Sequence, residues 1–271
     1  MAFLQEAGSD VVPLDHEAVE CTDPASVDAA LARSAPDVVV NCAAFVRVDE
    51  CEDRPDEALR VNALGALYVA RAAASLDARC VYISSDYVFD GRRPPPAAYA
   101  ETDAPAPVNV YGASKLAGEH LVAQTCPDAL IVRTASLFGG RGARGKGGNF
   151  VTAILTRARA GEPLRVVDDV WMTPTYAPDA AWALVRLLAG GATGIVHVAN
   201  AGACTWYTFA RHALALAGVD AAVEPVPAAT YPMRARRPTN SALDTARAAG
   251  LLGGPLRTWE DALAEYVRGL A

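Results

Sequence analysis

Short runs of uninterrupted apolar residues alternate along the first half of the chain with longer stretches where apolar positions recur every three or four residues. The runs fall at 11–15 (VVPLD), 37–41 (DVVVN), 80–84 (CVYIS) and 129–133 (ALIVR). Apolar runs without in-and-out alternation suit strands covered by helices on both faces. Between them the pattern predicts helices: one opened by Asp23 and Pro24, one over 56–74 and one over 110–124. Strand, helix, strand is the repeating unit, so the predicted class is α/β, a Rossmann-like doubly wound parallel sheet. Beyond Arg133 the pattern loosens. A Gly- and Arg-rich stretch at 141–148 reads as a surface loop, and strands at 164–167, 194–200 and 223–227 with helices after Pro178, after Thr205 and from Thr258 predict a smaller mixed α/β region.

The start of the chain departs from this scheme. Met1 to Ala7 read as the last turns of a helix stopped by Gly8, and Pro13 confines the run at 11–15 to an edge or bulge. The first strand and the Gly-rich turn that open such a sheet are missing, which leads to the expectation of roughly 15 to 25 residues upstream of Met1. The alternative is a short chain, for which an oligomer or a non-catalytic role is expected.

Composition narrows the classes. Lys+Arg 24 against Asp+Glu 31 gives a net charge of −7 over 271 residues, with no basic run, so nucleic acid is not an expected partner. The six cysteines, Cys21, Cys42, Cys51, Cys80, Cys126 and Cys204, have no metal-ligand or disulfide spacing, and none of the four histidines pairs with a second ligand, so no metal is expected. No apolar stretch reaches the roughly 20 residues of a membrane span and no signal-peptide pattern opens the chain, which together predict a cytoplasmic protein without a membrane partner.

Candidate chemistry sits at Tyr111 and Lys115, four apart and therefore on one helical face. A lysine ammonium near a phenol lowers its pKa and makes it a usable proton donor or acceptor. Upstream, the strand at 80–84 ends in Ser84-Ser85-Asp86-Tyr87-Val88-Phe89-Asp90-Gly91, and strand ends are where α/β sites collect. A hydroxyl there can stabilise a ketone oxygen as hydride arrives. Asp15, at the end of the run at 11–15, is placed to accept from a ribose 2′-hydroxyl and to disfavour a 2′-phosphate.

With Pro36 to Ala44, Val61-Asn62-Ala63, SSDYVFDG at 84–91, Asn109 to Glu119, Arg133-Thr134, Asn149-Phe150, Pro174 to Ala177, Thr205 to Ala210 and Arg237 to Asp244, the sequence resembles the extended short-chain dehydrogenase/reductase superfamily. Within it the chain is similar to the dTDP-4-dehydrorhamnose reductase family over nearly its whole length. The resemblance implies NADPH- or NADH-dependent reduction of the C4 ketone of a nucleotide-linked 4-keto-6-deoxy sugar, as in dTDP-L-rhamnose biosynthesis. It assigns Tyr111 as proton donor, Lys115 as its partner and a nicotinamide-ribose ligand, and Ser85 as the catalytic hydroxyl where the family has threonine. It puts Cys42, Ala43, Ala44 and Asn62 beside the cofactor, and Asp86, Tyr87, Asn149, Trp171 and Arg237 on the substrate side. Residues 1–145 are then a truncated dinucleotide-binding domain, and 146–271 mainly a substrate-binding region with some elements returning to the main sheet. A homodimer is possible in this reading.

Two segments depart from the family: Glu20-Cys21-Thr22-Asp23 stands for DITD, and Asp169 to Thr175 stands for DQxGxPT. Two other functions are compatible with the pattern. An epimerase or 4,6-dehydratase of the same fold is one, although a dehydratase would carry a second acid where Tyr87 stands. A non-catalytic regulatory subunit is the other, although such a scaffold has no use for Tyr111, Lys115 and Ser85 together.

Overall fold

The computed structural model describes residues 5, 8–140 and 148–270. The terminal turn read at 1–7 and the loop read at 141–148 lie outside these, apart from Gln5, Gly8 and Gly148. In chain order the first helix is α1 (Pro24–Ser34), opened by Asp23, whose carboxylate accepts from Ala25 N, with Pro24 in the first turn. Strand β1 (Val38–Asn41) follows, then α2 (Val48–Asp53) and α3 (Pro55–Leu59). A π-helical turn over Arg60–Leu64 leads into α4 (Gly65–Ser75). The single helix expected over 56–74 is thus interrupted, and the extra residue of the wider turn presents Asn62 inward, where it is fully buried.

Strand β2 (Arg79–Ser85) ends in a 3-10 turn over Asp86–Val88. Helix α5 (Val110–Thr125) is capped by Asn109, which accepts from Gly112 N at 2.8 Å. It leads to β3 (Leu130–Thr134). The second half contains β4 (Leu137–Phe138), α6 (Phe150–Arg159), β5 (Leu164–Val167), β6 (Trp171–Met172), β7 (Thr175–Tyr176) and α7 (Ala177–Ala189). It continues with β8 (Gly194–His197), β9 (Cys204–Thr205), α8 (Trp206–Leu216), β10 (Val223–Val226), α9 (Ala246–Leu252) and α10 (Trp259–Arg268).

The main sheet is parallel, in the order β1-β2-β3-β8. Alternation along β2 sends Cys80 and Tyr82 to one face, packed with Val27, Leu31, Val69 and Val122 of α1, α4 and α5. Val81 goes to the other face, among Ala183 and Leu187 of α7 and Ala248 of α9. Both faces are therefore covered, which is why these strands read as continuous apolar runs. A separate core, rich in aromatics, gathers Phe138, Tyr176, Phe209, Trp259 and Tyr266 with α6, α8 and α10.

One expected strand does not form. Residues 11–15 are extended but pair with no strand; Val12 is 54% exposed, and the segment bends at Asp15, whose carboxylate accepts from Glu17 N and Ala18 N. A run carrying Pro13 gains ladder hydrogen bonds only against a neighbouring strand, and β1 has β2 as its single strand partner among the described residues. Helices α2, α6 and α9 are additions that the hydrophobic pattern did not predict.

Candidate active site

The C-terminal end of β2 and the first turns of α5 meet. The contact is set by Gly112: a Cβ there would overlap the carbonyl oxygen of Tyr87. The glycine after Tyr111 thus lets the helix carrying the phenol press against the turn carrying Ser85 and Asp86. Ser85 Oγ accepts from Tyr87 N at 3.2 Å, donates to Asp86 Oδ1 at 2.9 Å and stands close enough to the Tyr111 hydroxyl to pull its pKa down. The Tyr87 ring stands edge-on to Tyr111, centroids 5.8 Å apart.

Burial governs the electrostatics of this group. It pushes the Tyr111 phenol up to about 12, against the pull of the Ser85 hydroxyl and reinforced by the Asp86 charge. It also pushes Asp86 up to about 6, while hydrogen bonds from Ser241 and Ser85 draw that carboxyl back. Lys115, 1% exposed, is carried down to about 7 by burial, with Glu119 and then Cys42 opposing. Desolvation sets the Tyr111 pKa, and the lysine ammonium lies 4.0 Å from the centre of the Tyr82 ring. The phenol is held in its protonated form, which is the form that can give a proton away.

Beside β1 runs a groove of about 980 Å³, lined by Leu14, Asp15, Val39, Cys42, Ala43 and Phe45 among others. It lies at the C-terminal end of a parallel strand, the place where α/β sheets bind ligands, and its volume is at the upper end of the range for cofactor sites. Cys42 at its edge is close enough to Lys115 for each to shift the other. Size and place fit a dinucleotide, and Cys42 on its lining brings the groove within electrostatic reach of Lys115.

The other expected residues divide. Asp86, Tyr87, Trp171 and Arg237 come together: Ser241 acts on the Asp86 carboxyl, Ser241 N donates to Trp171 O at 2.9 Å, and the Arg237 charge acts on the Tyr87 phenol. Arg237 itself is paired with Asp49 at 2.8 Å. Asn62 does not face the groove. Its Oδ1 accepts from Phe45 N at 2.7 Å and its Nδ2 donates to Ser114 Oγ at 2.9 Å, so it ties the loop after β1 to α5. Asn149 is likewise committed elsewhere, capping α6 and donating to Gly139 O and Tyr266 Oη. Sequence reasoning missed Ser114, Ser241 and Glu119 as members of the site. Glu119 follows Lys115 at the same four-residue spacing that flagged Tyr111 and Lys115, and that periodicity was the available signal.

The chain matches, over residues 1–271, the family described as RmlD substrate binding domain. It is 38% identical over 265 residues to the spore coat polysaccharide biosynthesis protein SpsK of Bacillus subtilis, covering 98% of this chain and 90% of that one. It is 40% identical over 264 residues to the dTDP-4-dehydrorhamnose reductase of Mycobacterium tuberculosis, covering 95% of this chain and 84% of that one. Among solved structures, dTDP-4-dehydrorhamnose reductase from Bacillus anthracis in complex with NADP superposes with a TM-score of 0.91 at 34% identity, covering 98% of this chain and 94% of the other.

Proposed function

Because the chain belongs to the RmlD substrate binding domain family, we infer that its cleft performs the dTDP-4-dehydrorhamnose reductase reaction, NAD(P)H-dependent reduction of the C4 ketone of a nucleotide-linked 4-keto sugar in rhamnose biosynthesis. The observation that carries this reading is the meeting of the Ser85 turn with the capped helix that bears Tyr111 and, one turn on, Lys115, beside a groove of dinucleotide size.

Asp15, Cys42, Ala43 and Ala44 would hold the cofactor along the groove, with Lys115 within electrostatic reach of Cys42. When bound, the reduced nicotinamide supplies hydride to C4. Tyr111 donates its phenolic proton to the C4 oxygen, and Ser85 bonds the same oxygen as charge develops there. The phenolate left on Tyr111 is stabilised by the Lys115 ammonium, and solvent returns the proton. Asp86, Tyr87, Trp171 and Arg237 form the wall against which the sugar nucleotide is oriented. Six free cysteines without a disulfide among the described residues support a reducing, cytoplasmic setting.

Tyr111→Phe tests the assignment. Turnover measured by nicotinamide absorbance should fall by about 10²- to 10⁴-fold while KM for the sugar nucleotide stays close to that of the parent. Near-normal turnover would remove Tyr111 from the mechanism.

A further inference from the structure

Next to Lys115 lies a buried charged cluster that proton donation by Tyr111 does not use. Glu119, one helical turn beyond Lys115 on α5, is 3% exposed. Its carboxylate accepts from Ser84 Oγ of β2, and from Arg133 of β3 through Nε at 2.8 Å and Nη2 at 2.7 Å. Arg133 is 1% exposed, and its Nη1 has no hydrogen-bond partner among the described residues. Tyr82 and Ser84 are two apart on β2 and so share a face, which sets the ring under Lys115 and the hydroxyl on Glu119 along one stretch of α5. Gly118 permits the approach, since a Cβ there would overlap Asn62 O and the Tyr82 hydroxyl. A single buried carboxylate therefore serves two buried cations, one by direct hydrogen bonds and one through space.

We propose that Glu119 is a positioning residue of the reductase: anchored to β2 by Ser84 and to β3 by Arg133, its buried carboxylate fixes the charge surroundings of Lys115 one turn away. The inference rests on the reading that Tyr111 and Lys115 carry the reaction. The groups facing Lys115 are the Tyr82 phenol from β2, the Cys42 thiol beyond β1, and Tyr111 and Glu119 on its own helix, with Arg133 of β3 behind Glu119. A thiol is protonated near neutral pH and the surroundings of Cys42 raise its pKa further, so that group is uncharged and Glu119 is the anion that opposes the desolvation of Lys115. An ammonium is present below its pKa and is lost as pH rises through it. Removing the Glu119 charge lowers that pKa further, so the alkaline limb of the reaction must move to lower pH.

The experiment is kcat against pH, with NADPH and the nucleotide-linked 4-keto sugar, for the parent, Glu119→Gln, Glu119→Asp, the double variant Glu119→Gln/Arg133→Met, and Tyr111→Phe, with Tm measured beside each. The expected result is an alkaline limb displaced downward by about one pH unit in Glu119→Gln and in the double variant, and returned toward the parent in Glu119→Asp. The double variant replaces a buried ion pair by neutral side chains and keeps the test alive if Glu119→Gln, which leaves Arg133 uncompensated, does not fold. A parental limb in a folded Glu119→Gln or double variant, or a uniform loss of kcat with no displacement, overturns the proposal in favour of a packing role. With Tyr111→Phe inactive, that result overturns the proposal alone; an active Tyr111→Phe overturns the catalytic reading beneath it.

Discussion

Around Tyr111, polar side chains are buried and bonded: Ser85 to Asp86, Asn62 to Phe45 and Ser114, Glu119 to Ser84 and Arg133. Along the groove outside β1 the lining is different. Asp15, Cys42 and Ala43 are exposed, and the Asp15 carboxylate accepts from backbone amides two and three residues further on. The first region has its donors and charges fixed before a substrate arrives, so its contribution to catalysis is electrostatic and its tolerance for change is small. The second offers shape and apolar surface, where individual side chains can change with modest effect.

That contrast is open to direct attack. Gly112→Ala should be the most damaging change, because the added Cβ meets the Tyr87 carbonyl and must separate α5 from the turn bearing Ser85. A displacement near 1 Å at a reacting centre costs about 10²-fold, so kcat should fall at least that far, and overpacking should cost about 1–3 kcal/mol in urea unfolding. Ser85→Ala comes next: it deletes a donor to the developing oxyanion, and kcat should fall by about 10²-fold with little change in Tm.

Asp86→Asn sharpens the comparison through pH. The folded carboxyl titrates at about 6, above its unfolded value, so its neutral form is favoured by folding and the parent loses stability as pH rises from 4 through 6. The variant carries no such charge, and its stability relative to the parent should grow over that window by about 1–3 kcal/mol, then level off, as read from urea unfolding at pH 4, 6 and 8. Equal stability differences at all three pH values would place the Asp86 carboxyl in an ordinary environment. The mildest effect belongs to the groove. Asp15→Asn should leave kcat unchanged and shift the ratio of KM values toward NADPH by about three- to tenfold, as a carboxylate repels a 2′-phosphate more than an amide does.

Much of the proton-handling region was legible from the chain because its members sit in local patterns. Tyr111 and Lys115 share a helical face, Asn109 precedes the helix as a cap, and SSDYVFDG closes an apolar run. The strands 38–41, 79–85, 130–134 and 194–197 announced themselves by burial on both faces. What stayed hidden depends on pairings far apart in sequence. Arg133 and Ser84 reach Glu119 only because β2 and β3 lie adjacent in register under α5, with Ser84 opposite Arg133. The inward turn of Asn62 follows from the π-helical turn, for which no residue type gives a signature. The run at 11–15 misled for a related reason: apolar content marks a segment able to pair, while pairing also needs a neighbour. The titration of Tyr111 was missed in the same way, since the sequence supplies the lysine but not the depth at which the phenol is buried.

The chain has four tryptophans, and the fold distributes them so that one becomes an optical reporter. Trp259 is buried in the aromatic core and Trp182 is 41% exposed on α7, so the two differ widely in polarity. Trp171 is joined by its backbone carbonyl to Ser241, the residue that acts on the Asp86 carboxyl, and so is the tryptophan tied to the proposed substrate wall. Emission from Trp171 is therefore expected to respond when the substrate side fills, and replacing Trp182 and Trp206 by phenylalanine would test this above the background of Trp259.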